Sequence, residues 1–258
     1  MAARQPIQQR DDEPAFVLHT YPYRETSLIV EAFTSAYGRV AMVARGAKRP
    51  RSEVRGLLQA FQPLALSWAG AGELKTLVKA EWRGGLPLLS GAALLCGFYL
   101  NELLMKLMVR EDAHPDLFDD YAAALQALAA GPAGSEQAAV LRRFEVRLLA
   151  AMGYAMQLAR DVDNAAIDPD RMYHYAPDRG PRLVVAHVAR EPGPHPRLVR
   201  GATLIALAAG SFADADSASE AKRLMRDVLD HHLEERRIVS RRVVRDLVSL
   251  EEEGPWNQ

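Results

Sequence analysis

Between Ala15 and Trp82 the hydrophobic positions fall into short runs that alternate with polar residues, and no stretch keeps a helical period. The runs are rich in β-branched and aromatic residues and predict five strands: Ala15–Thr20, Ser27–Phe33, Arg39–Arg45, Leu58–Ser67 and Leu74–Trp82. Pro22, Gly38 and the Gly70–Gly72 triplet separate them. Because a flat sheet of this size would expose its edges, we predict a small closed barrel. An OB-type barrel is favoured, and five strands also fit an SH3-like barrel.

After the Gly84–Pro87 joint the apolar positions recur every three or four residues, which predicts helices. Three apolar stripes follow one another: Leu95, Phe98, Tyr99, Leu103 and Leu107; Leu117, Tyr121, Leu125 and Leu128; and Leu141, Phe144, Leu148 and Met152. Gly153 is placed to end the third helix in the left-handed conformation. Residues 154–196 lose the pattern and predict a loop-rich insert, with one β-type run at Arg182–Val188.

Two further helices are predicted near the end of the chain. The capping-box sequence Ser217–Glu220 should begin one helix, and residues 240–250 should form the other. The fold class is therefore α+β, with a five-stranded OB-type barrel followed by a larger all-helical domain. The predicted divisions are a flexible N-terminus at 1–14, a barrel domain at 15–83, a helical domain at 84–250 that contains the irregular insert, and an acidic tail at 251–258.

Composition is that of an ordinary globular protein, with 49% hydrophobic and 25% charged residues in a chain of 258. The single cysteine, Cys96, lies among leucines and is predicted to be a small buried apolar residue. It excludes both an intramolecular disulfide and a cysteine-based zinc cage. The first 14 residues have no apolar core of a signal peptide, and the greasy stretch Leu86–Leu100 is too short to span a bilayer. We therefore expect a cytoplasmic protein.

Motifs that would indicate catalysis are missing from the sequence. It contains no phosphate-binding P-loop and no nucleophile elbow, and the calcium-loop-like start at Asp161–Asp163 lacks the turn glycine and the closing carboxylate. No histidine pairs with another at a metal-binding helical spacing. We expect a non-enzymatic protein without cofactor or metal. One enzymatic alternative stays open, a metal-dependent nuclease that uses the insert carboxylates Asp161, Asp163, Asp168 and Asp170.

Positive charge is concentrated in the barrel half, although the formal net charge of the chain is −1. Residues 1–83 hold 12 Lys and Arg against 8 Asp and Glu, whereas the remainder holds 20 against 25. Six cations lie in one strand and the loop after it: Arg39, Arg45, Lys48, Arg49, Arg51 and Arg55. Strand alternation places Arg39 and Arg45 on one face. Such a cluster is typical of a surface that binds a phosphate backbone, and a solvated loop without a partner is the alternative.

Aromatic residues that could stack on bases are Tyr37, Phe61, Trp68 and Trp82, and each could equally belong to the barrel core. A second run of arginines and lysines, between residues 222 and 245, is diluted by acidic residues. It is typical of a solvated helix surface with internal ion pairs. By contrast, Arg142 and Arg143 begin a strongly apolar helix, where a cation could receive the acidic end of a peptide.

The order of short segments along the chain resembles the bacterial RecO family of DNA repair proteins. The matching stretches in the barrel half are residues 15–19, 25–28, 33–34, 38–40, 43–47 and 72–77. In the helical half they are Tyr99-Leu100-Asn101-Glu102-Leu103-Leu104, Arg142-Arg143-Phe144-Glu145, Gly153-Tyr154 and Ser240-Arg241. Each stretch is weak by itself, and their common order and spacing make the resemblance specific.

This resemblance implies an N-terminal OB fold, a C-terminal helical domain and the function of a recombination mediator at the nucleoid. Such a mediator binds single- and double-stranded DNA and anneals complementary strands. It docks on the C-terminal tail of single-stranded-DNA-binding protein, and it works with RecR to load RecA. Some relatives carry a four-cysteine zinc site after the Gly153-Tyr154 position, and this chain has no cysteine there, so zinc is not expected.

The resemblance also assigns residues to sites. The DNA-binding candidates are Arg39, Arg45, Lys48, Arg49, Arg51, Arg55 and Lys75. The candidates for the partner-tail pocket are Tyr99, Arg142 and Arg143, because a carboxylate-rich peptide with an apolar end needs an arginine beside a greasy surface. An OB-barrel module that binds RNA without a role in repair is the alternative function.

Overall fold

A computed structural model describes residues 9–132, 134–184, 197–233 and 238–240. These residues form two compact units, one of residues 9–130 with 238–240 and one of residues 131–233. The strands are β1 Gln9–Tyr23, β2 Ser27–Thr34, β3 Gly38–Ala44, β4 Pro63–Ala69, β5 Leu74–Trp82, β6 Met172–Ala176, β7 Gly180–Leu183 and β8 Arg197–Arg200. The helices are α1 Glu53–Leu57, α2 Gly91–Leu107, α3 Pro115–Ala129, α4 Gly134–Ala151, α5 Gly201–Ala209 and α6 Ala215–Leu233.

The first five strands close into a barrel in the order β1-β2-β3-β5-β4, which confirms the predicted five-stranded barrel. Strands β3 and β5 pair in parallel, and the remaining neighbours are antiparallel. This order, with α1 inserted between β3 and β4, fits the OB type. Inward-facing residues such as Val17, Val30, Met42, Leu66 and Trp68 fill the interior. Alternation along each strand supplies this core and leaves the opposite face free for other contacts.

Strand β1 begins at Gln9, so the prediction of a flexible segment extending to residue 14 is wrong for residues 9–14. Gln9 and Arg10 pair with Ala69 and Trp68 of β4, and a bulge follows before Glu13. Sequence alternation missed this part of the strand because its side chains are mostly exposed and polar. Backbone hydrogen bonds to β4, which leave no hydrophobic signature, hold it in the sheet.

The strand predicted at Leu58–Ser67 corresponds to β4, which begins five residues later than predicted, at Pro63. Before it, the loop after β3 contains the short helix α1, which the sequence pattern did not predict. Leu58 ends that helix with its N–H bonded to the carbonyl of Val54, and its side chain joins the barrel core. Its hydrophobicity therefore reflects burial in the barrel core and not membership of a strand.

Helices α2 and α3 belong to the same unit as the barrel and cover part of its outer surface. The rings of Phe16 and Phe33 pack against Phe118 of α3 at centroid separations of 5.4 and 5.3 Å. Asn101 of α2 donates to the Leu18 carbonyl at 2.8 Å and accepts a hydrogen bond from Tyr121. Complete burial raises the pKa of the Tyr121 hydroxyl, which stays a neutral donor. The compact unit therefore extends beyond the predicted 84 boundary to Ala130.

The second unit contains α4, α5 and α6 together with a three-stranded sheet in the order β7-β6-β8. That sheet corrects the prediction of an irregular insert, since β6 and β7 lie within it. The strands have only four or five residues, too few for alternation to stand out, although Tyr173 and Tyr175 are buried on one face of β6. The predicted run at Arg182–Val188 overlaps the end of β7, and its last four residues lie outside the described part of the chain.

Two helix ends in the second unit show how sequence fixes boundaries. Gly153 has φ +85°, and the Tyr154 N–H reaches the Leu149 carbonyl at 2.8 Å, which confirms the predicted left-handed end of α4. The start of α6 differs from the predicted capping box at Ser217. Asp214 is the cap, because its carboxylate accepts the Ser217 N–H at 2.6 Å, and these hydrogen bonds hold the pKa of Asp214 below its ordinary value.

The last predicted helix is described only at its start. Glu102 of α2 accepts the N–H groups of Val239 and Ser240 at 2.7 and 2.8 Å. Residues 241–258, which include the rest of this helix and the predicted acidic tail, lie outside the described residues, as do residues 1–8. No described helix is both long enough and apolar enough to cross a membrane.

Candidate nucleic-acid interface

A groove of about 890 Å³ lies beside the C-terminal end of β3, and we call it the basic groove. Its wall comes from the β1–β2 turn, from the end of β3 with the loop after it, and from the start of β5. The lining residues are Tyr23, Arg24, Glu25, Thr26, Ser27, Val43, Arg45, Gly46, Arg49, Leu74, Lys75 and Thr76. Val43 and Thr76 are register partners in the parallel β3–β5 pair and form part of the floor. Basic residues thus border a partly apolar surface.

Hydrogen bonds hold the two loops of the basic groove together. The backbone N–H of Lys48 donates to the Thr26 carbonyl at 2.8 Å, and the Lys48 ammonium reaches the Arg24 carbonyl at 3.4 Å. Gly46, with φ +71°, makes the bend that turns the chain from β3 toward this contact. The β1–β2 turn is consequently fixed next to the basic loop and does not project alone into solvent.

Five of the seven predicted DNA-binding residues are exposed in and after this loop: Arg45, Lys48, Arg49, Arg51 and Arg55. Arg45 and Arg49 line the basic groove directly, and Arg55 is carried by α1. Within the described residues, none of the five forms an ion pair with an acidic side chain. Their charge is available to a polyanion.

Arg39 departs from the prediction because it is enclosed at the other end of β3. Its side chain is 14% exposed and contacts the buried Glu31 carboxylate at 3.3 Å. Arg110, from the segment after α2, pairs with the second oxygen of the same carboxylate. Burial lowers the pKa of Arg39 in spite of the nearby Glu31 charge. Strand alternation predicts Arg39 and Arg45 on one face, but Arg45 follows the end of β3 in a turn, and the two arginines differ in the segments packed around them.

Lys75 also departs from the prediction, although it borders the basic groove. Its register partner is Met42, a residue of the barrel core, so the lysine side chain shares the inward face of the sheet. The ammonium contacts the Glu111 carboxylate at 2.8 Å, and the side chain is 8% exposed. The Glu111 carboxylate therefore neutralises its charge.

Sequence reasoning missed two residues of the groove, Tyr23 and Arg24. Both lie at the tip of the β1–β2 hairpin, and the Arg24 guanidinium lies 5.1 Å from the centre of the Tyr23 ring. The fragment Tyr23-Arg24 carries a signal, an aromatic residue beside a cation in a predicted turn. Nothing in the linear sequence shows that this turn contacts Lys48, 24 residues further on.

The aromatic residues named from sequence are mostly structural. Phe61 and Trp68 are buried, and the ring of Tyr37 packs edge-on against Trp68 at 5.4 Å. Trp82 is 59% exposed at the far end of β5 and does not line the basic groove. None of these four residues therefore offers a ring to the groove.

The three predicted tail-pocket residues fall in both units, with Tyr99 in the first and Arg142 and Arg143 in the second. Arg142 is buried and pairs with the buried Glu145 one helical turn later, so it differs from the exposed arginine that the predicted peptide site requires. Arg143 is exposed and donates to the Gly210 carbonyl at 3.1 Å, at the left-handed end of α5. Tyr99 is buried. The tail-binding role of these residues stays a prediction.

The insert carboxylates hold local turns. Asp161 accepts the N–H groups of Asp163 and Ala165 at 3.0 and 2.8 Å, and Asp168 accepts the Asp170 N–H at 2.9 Å. Over the described ranges, no three His, Cys, Asp or Glu side chains come together in a way that could hold a metal ion. Cys96 is of intermediate exposure, and so less buried than predicted.

Comparison with known proteins gives matches along nearly the whole chain. Residues 10–86 match the family model described as Recombination protein O N terminal, and residues 88–242 match Recombination protein O C terminal. The chain is 51% identical over 241 residues to DNA repair protein RecO of Dechloromonas aromatica, which covers 93% of this chain and 97% of that protein. It is 47% identical over 254 residues to DNA repair protein RecO of an Azoarcus species, which covers 97% and 100%.

Proposed function

Since this chain belongs to the RecO family of DNA repair proteins, we propose that it binds DNA in the basic groove and anneals complementary strands without catalysing a reaction. The observation that carries the proposal is the set of exposed, unneutralised cations around that groove. OB barrels bind oligonucleotides on the face of strands 2 and 3 and on the loops beside it, and the β1–β2 turn, the start of β2, the end of β3 and the start of β5 line the basic groove.

The proposed mechanism is electrostatic. Phosphates that contact Arg45, Arg49 and their neighbours release condensed counterions, which supplies affinity without a sequence requirement. Two strands held near the same cations repel each other less, so base pairing can proceed without nucleotide hydrolysis. The nuclease alternative has weaker support, because Asp161 and Asp168 already serve their own turns.

Partner binding forms the second part of the proposal. As the family resemblance implies, the protein would dock on the C-terminal tail of single-stranded-DNA-binding protein and work with RecR to load RecA. Docking would bring the annealing surface to exposed single strands. Because Arg142 is buried with Glu145, the exposed Arg143 is the better arginine for a test with a tail peptide. We expect Arg143→Ala to weaken tail binding and to leave binding of naked DNA unchanged, and equal peptide affinity would refute this role.

The test of DNA binding is the salt dependence of affinity for a single-stranded oligonucleotide. If about four cations contact phosphates, the log–log slope should be about −3. Reversing the charge at Lys48, Arg49 and Arg51 to glutamate should bring the slope to roughly −1 or weaker and abolish annealing without ATP. The matched control is Lys79→Glu, an exposed barrel lysine outside the groove. Unchanged affinity and slope in the triple variant would refute the assignment.

A further inference from the structure

We propose that Tyr23 is a base-stacking residue, covered by Arg24 in the free protein, and that it gives the basic groove a preference for single strands over duplexes. This inference rests on the proposed DNA-binding function and adds the residue that would distinguish between the two forms of DNA.

The conformation of the β1–β2 turn is the first observation. The turn spans only residues 24–26 between the register partners Tyr23 and Ser27. Arg24 has φ +51°, a conformation that arginine rarely adopts and that glycine adopts readily. Strained residues of this kind concentrate at functional sites. The chain therefore keeps an arginine where glycine would relieve strain.

The position of the Arg24 side chain is the second observation. Its guanidinium lies 5.1 Å from the centre of the Tyr23 ring, over the face that a nucleobase would use. Both residues line the basic groove. When a DNA strand binds in the groove, a phosphate can bind the Arg24 guanidinium and a base can stack on the Tyr23 ring. A cation–π contact in solvent is weak compared with base–aromatic stacking, so the exchange favours the bound strand.

The anchoring of the turn is the third observation. Lys48 bonds to the Thr26 carbonyl through its backbone and to the Arg24 carbonyl through its ammonium. Tyr23 is thus held at the groove wall before any ligand arrives, which lowers the ordering cost of binding. Lys48 would act as a positioning residue in addition to contributing charge.

Only a single strand can use this platform. In a duplex the bases are stacked on their neighbours and paired, so a ring at the groove wall meets phosphates and sugars alone. In a single strand, each base has a free face. Replacement of Tyr23 should therefore change single-strand affinity and leave duplex affinity nearly constant, whereas loss of a groove cation should weaken both.

The experiment measures binding of Tyr23→Ala, Tyr23→Phe and Tyr21→Ala to three ligands of equal length: an oligo(dT) strand, an abasic strand and a blunt duplex. Tyr21 is the matched control, because it lies on the same face of β1, is exposed, packs on His19 and does not line the groove. We expect Tyr23→Ala to weaken oligo(dT) binding roughly five- to hundredfold and the other two ligands less than about twofold. Tyr23→Phe should retain affinity, since the ring is conserved.

An equal loss on all three ligands would overturn the stacking role, because a merely structural tyrosine would affect every ligand. No loss on any ligand would also overturn it. If the triple variant at Lys48, Arg49 and Arg51 keeps the DNA affinity and the salt slope of the parent, the proposed function itself fails, and that result is separate from the tyrosine series.

Arg24→Gly gives a second, independent readout. Glycine relieves the positive φ, so thermal stability should stay the same or rise, while the single-strand salt slope should become less negative by about 0.7. A fall in stability together with an unchanged slope would contradict the assignment of Arg24 to phosphate binding.

Discussion

Strand β3 is bounded by the same residue types in mirror order, Gly38-Arg39 at its start and Arg45-Gly46 just after its end, and the two ends have opposite surroundings. At the start, Arg39 is enclosed with Glu31 and Arg110. Beyond the end, Arg45 is exposed and borders the basic groove. Residue type and strand face therefore do not determine whether an arginine is available to a ligand. The segments packed against each end of β3 determine this availability.

The largest expected effect comes from removing the Glu31 carboxylate, which neutralises Arg39 at the start of β3. Glu31→Ala leaves Arg39 buried without its counterion, and loss of one partner of a buried ion pair costs about 3 kcal/mol or more. Urea unfolding of the full chain measures the change in the free energy of unfolding. Glu53→Ala, an exposed glutamate in α1, is the control and should change stability by less than about 0.5 kcal/mol. Equal stability of the two variants would remove the contrast between the ends.

The two glycines test the contrast through the backbone. A Cβ on Gly38 would lie 1.8 Å from the Asp112 carbonyl oxygen, whereas a Cβ on Gly46 would meet only the Arg49 side chain at 3.6 Å. Both have positive φ. Gly46→Ala should cost about 1 kcal/mol for the left-handed conformation alone, and Gly38→Ala should cost about 3 kcal/mol because a steric clash is added. Thermal melting of both variants checks the difference, and equal costs would contradict the packing at Asp112.

The two arginines test the contrast through DNA. Arg45→Ala should make the single-strand salt slope less negative by about 0.7 and leave stability within about 0.5 kcal/mol of the parent. Arg39→Ala should leave the slope unchanged and lower stability, since Glu31 loses one of its two partners. Oligonucleotide titrations at several salt concentrations, with parallel melting curves, separate the two outcomes. An equal slope change for both variants would show that Arg39 reaches DNA.

Glu102 gives the smallest expected effect. It is a carboxylate of the same unit, but its partners are two backbone N–H groups and Lys106 and not arginines. Burial alone would raise its pKa, but hydrogen bonds from Ser240, Val239 and Lys106 outweigh burial and leave the pKa lowered. Its contribution is therefore present above its ordinary pKa and is lost as the pH falls through the lowered value. Glu102→Gln should cost about 1 kcal/mol at pH 7, by analogy with a lost helix cap, and the deficit should shrink below about pH 4. A deficit independent of pH would contradict a charged cap.

Alternation and helical period predicted the barrel strands and the stripes of α2, α3 and α4, because burial of one face leaves a period in the sequence. Helix α1 and the sheet of β6, β7 and β8 were missed because their elements are too short for a period to appear. Capping chemistry was read correctly at Gly153 and placed three residues late at α6, where Asp214 competes with Ser217 for the same role.

The part of the candidate site that is contiguous in sequence could be predicted. The part that depends on contacts between residues distant in sequence could not. The run from Arg45 to Arg55 is contiguous, so its charge could be read directly. Removing Arg39 and Lys75 from the exposed set required knowledge of Glu31, Arg110 and Glu111, which are distant in sequence. Adding Tyr23 and Arg24 required the contact between the β1–β2 turn and Lys48. Long-range pairing, and not residue type, sets the membership of the groove.

The aromatic contacts of Phe16 and Phe33 with Phe118 have a practical consequence for anyone who wishes to dissect this protein. A fragment cut near residue 86, where one matched region gives way to the next, would carry both rings on its outside with nothing to shield them. Such a fragment should self-associate through these exposed rings. Its measured binding to oligonucleotides would then reflect aggregation as well as recognition. A truncation after α3, at Ala130, is preferable because it keeps Phe118 packed on the strands that it covers.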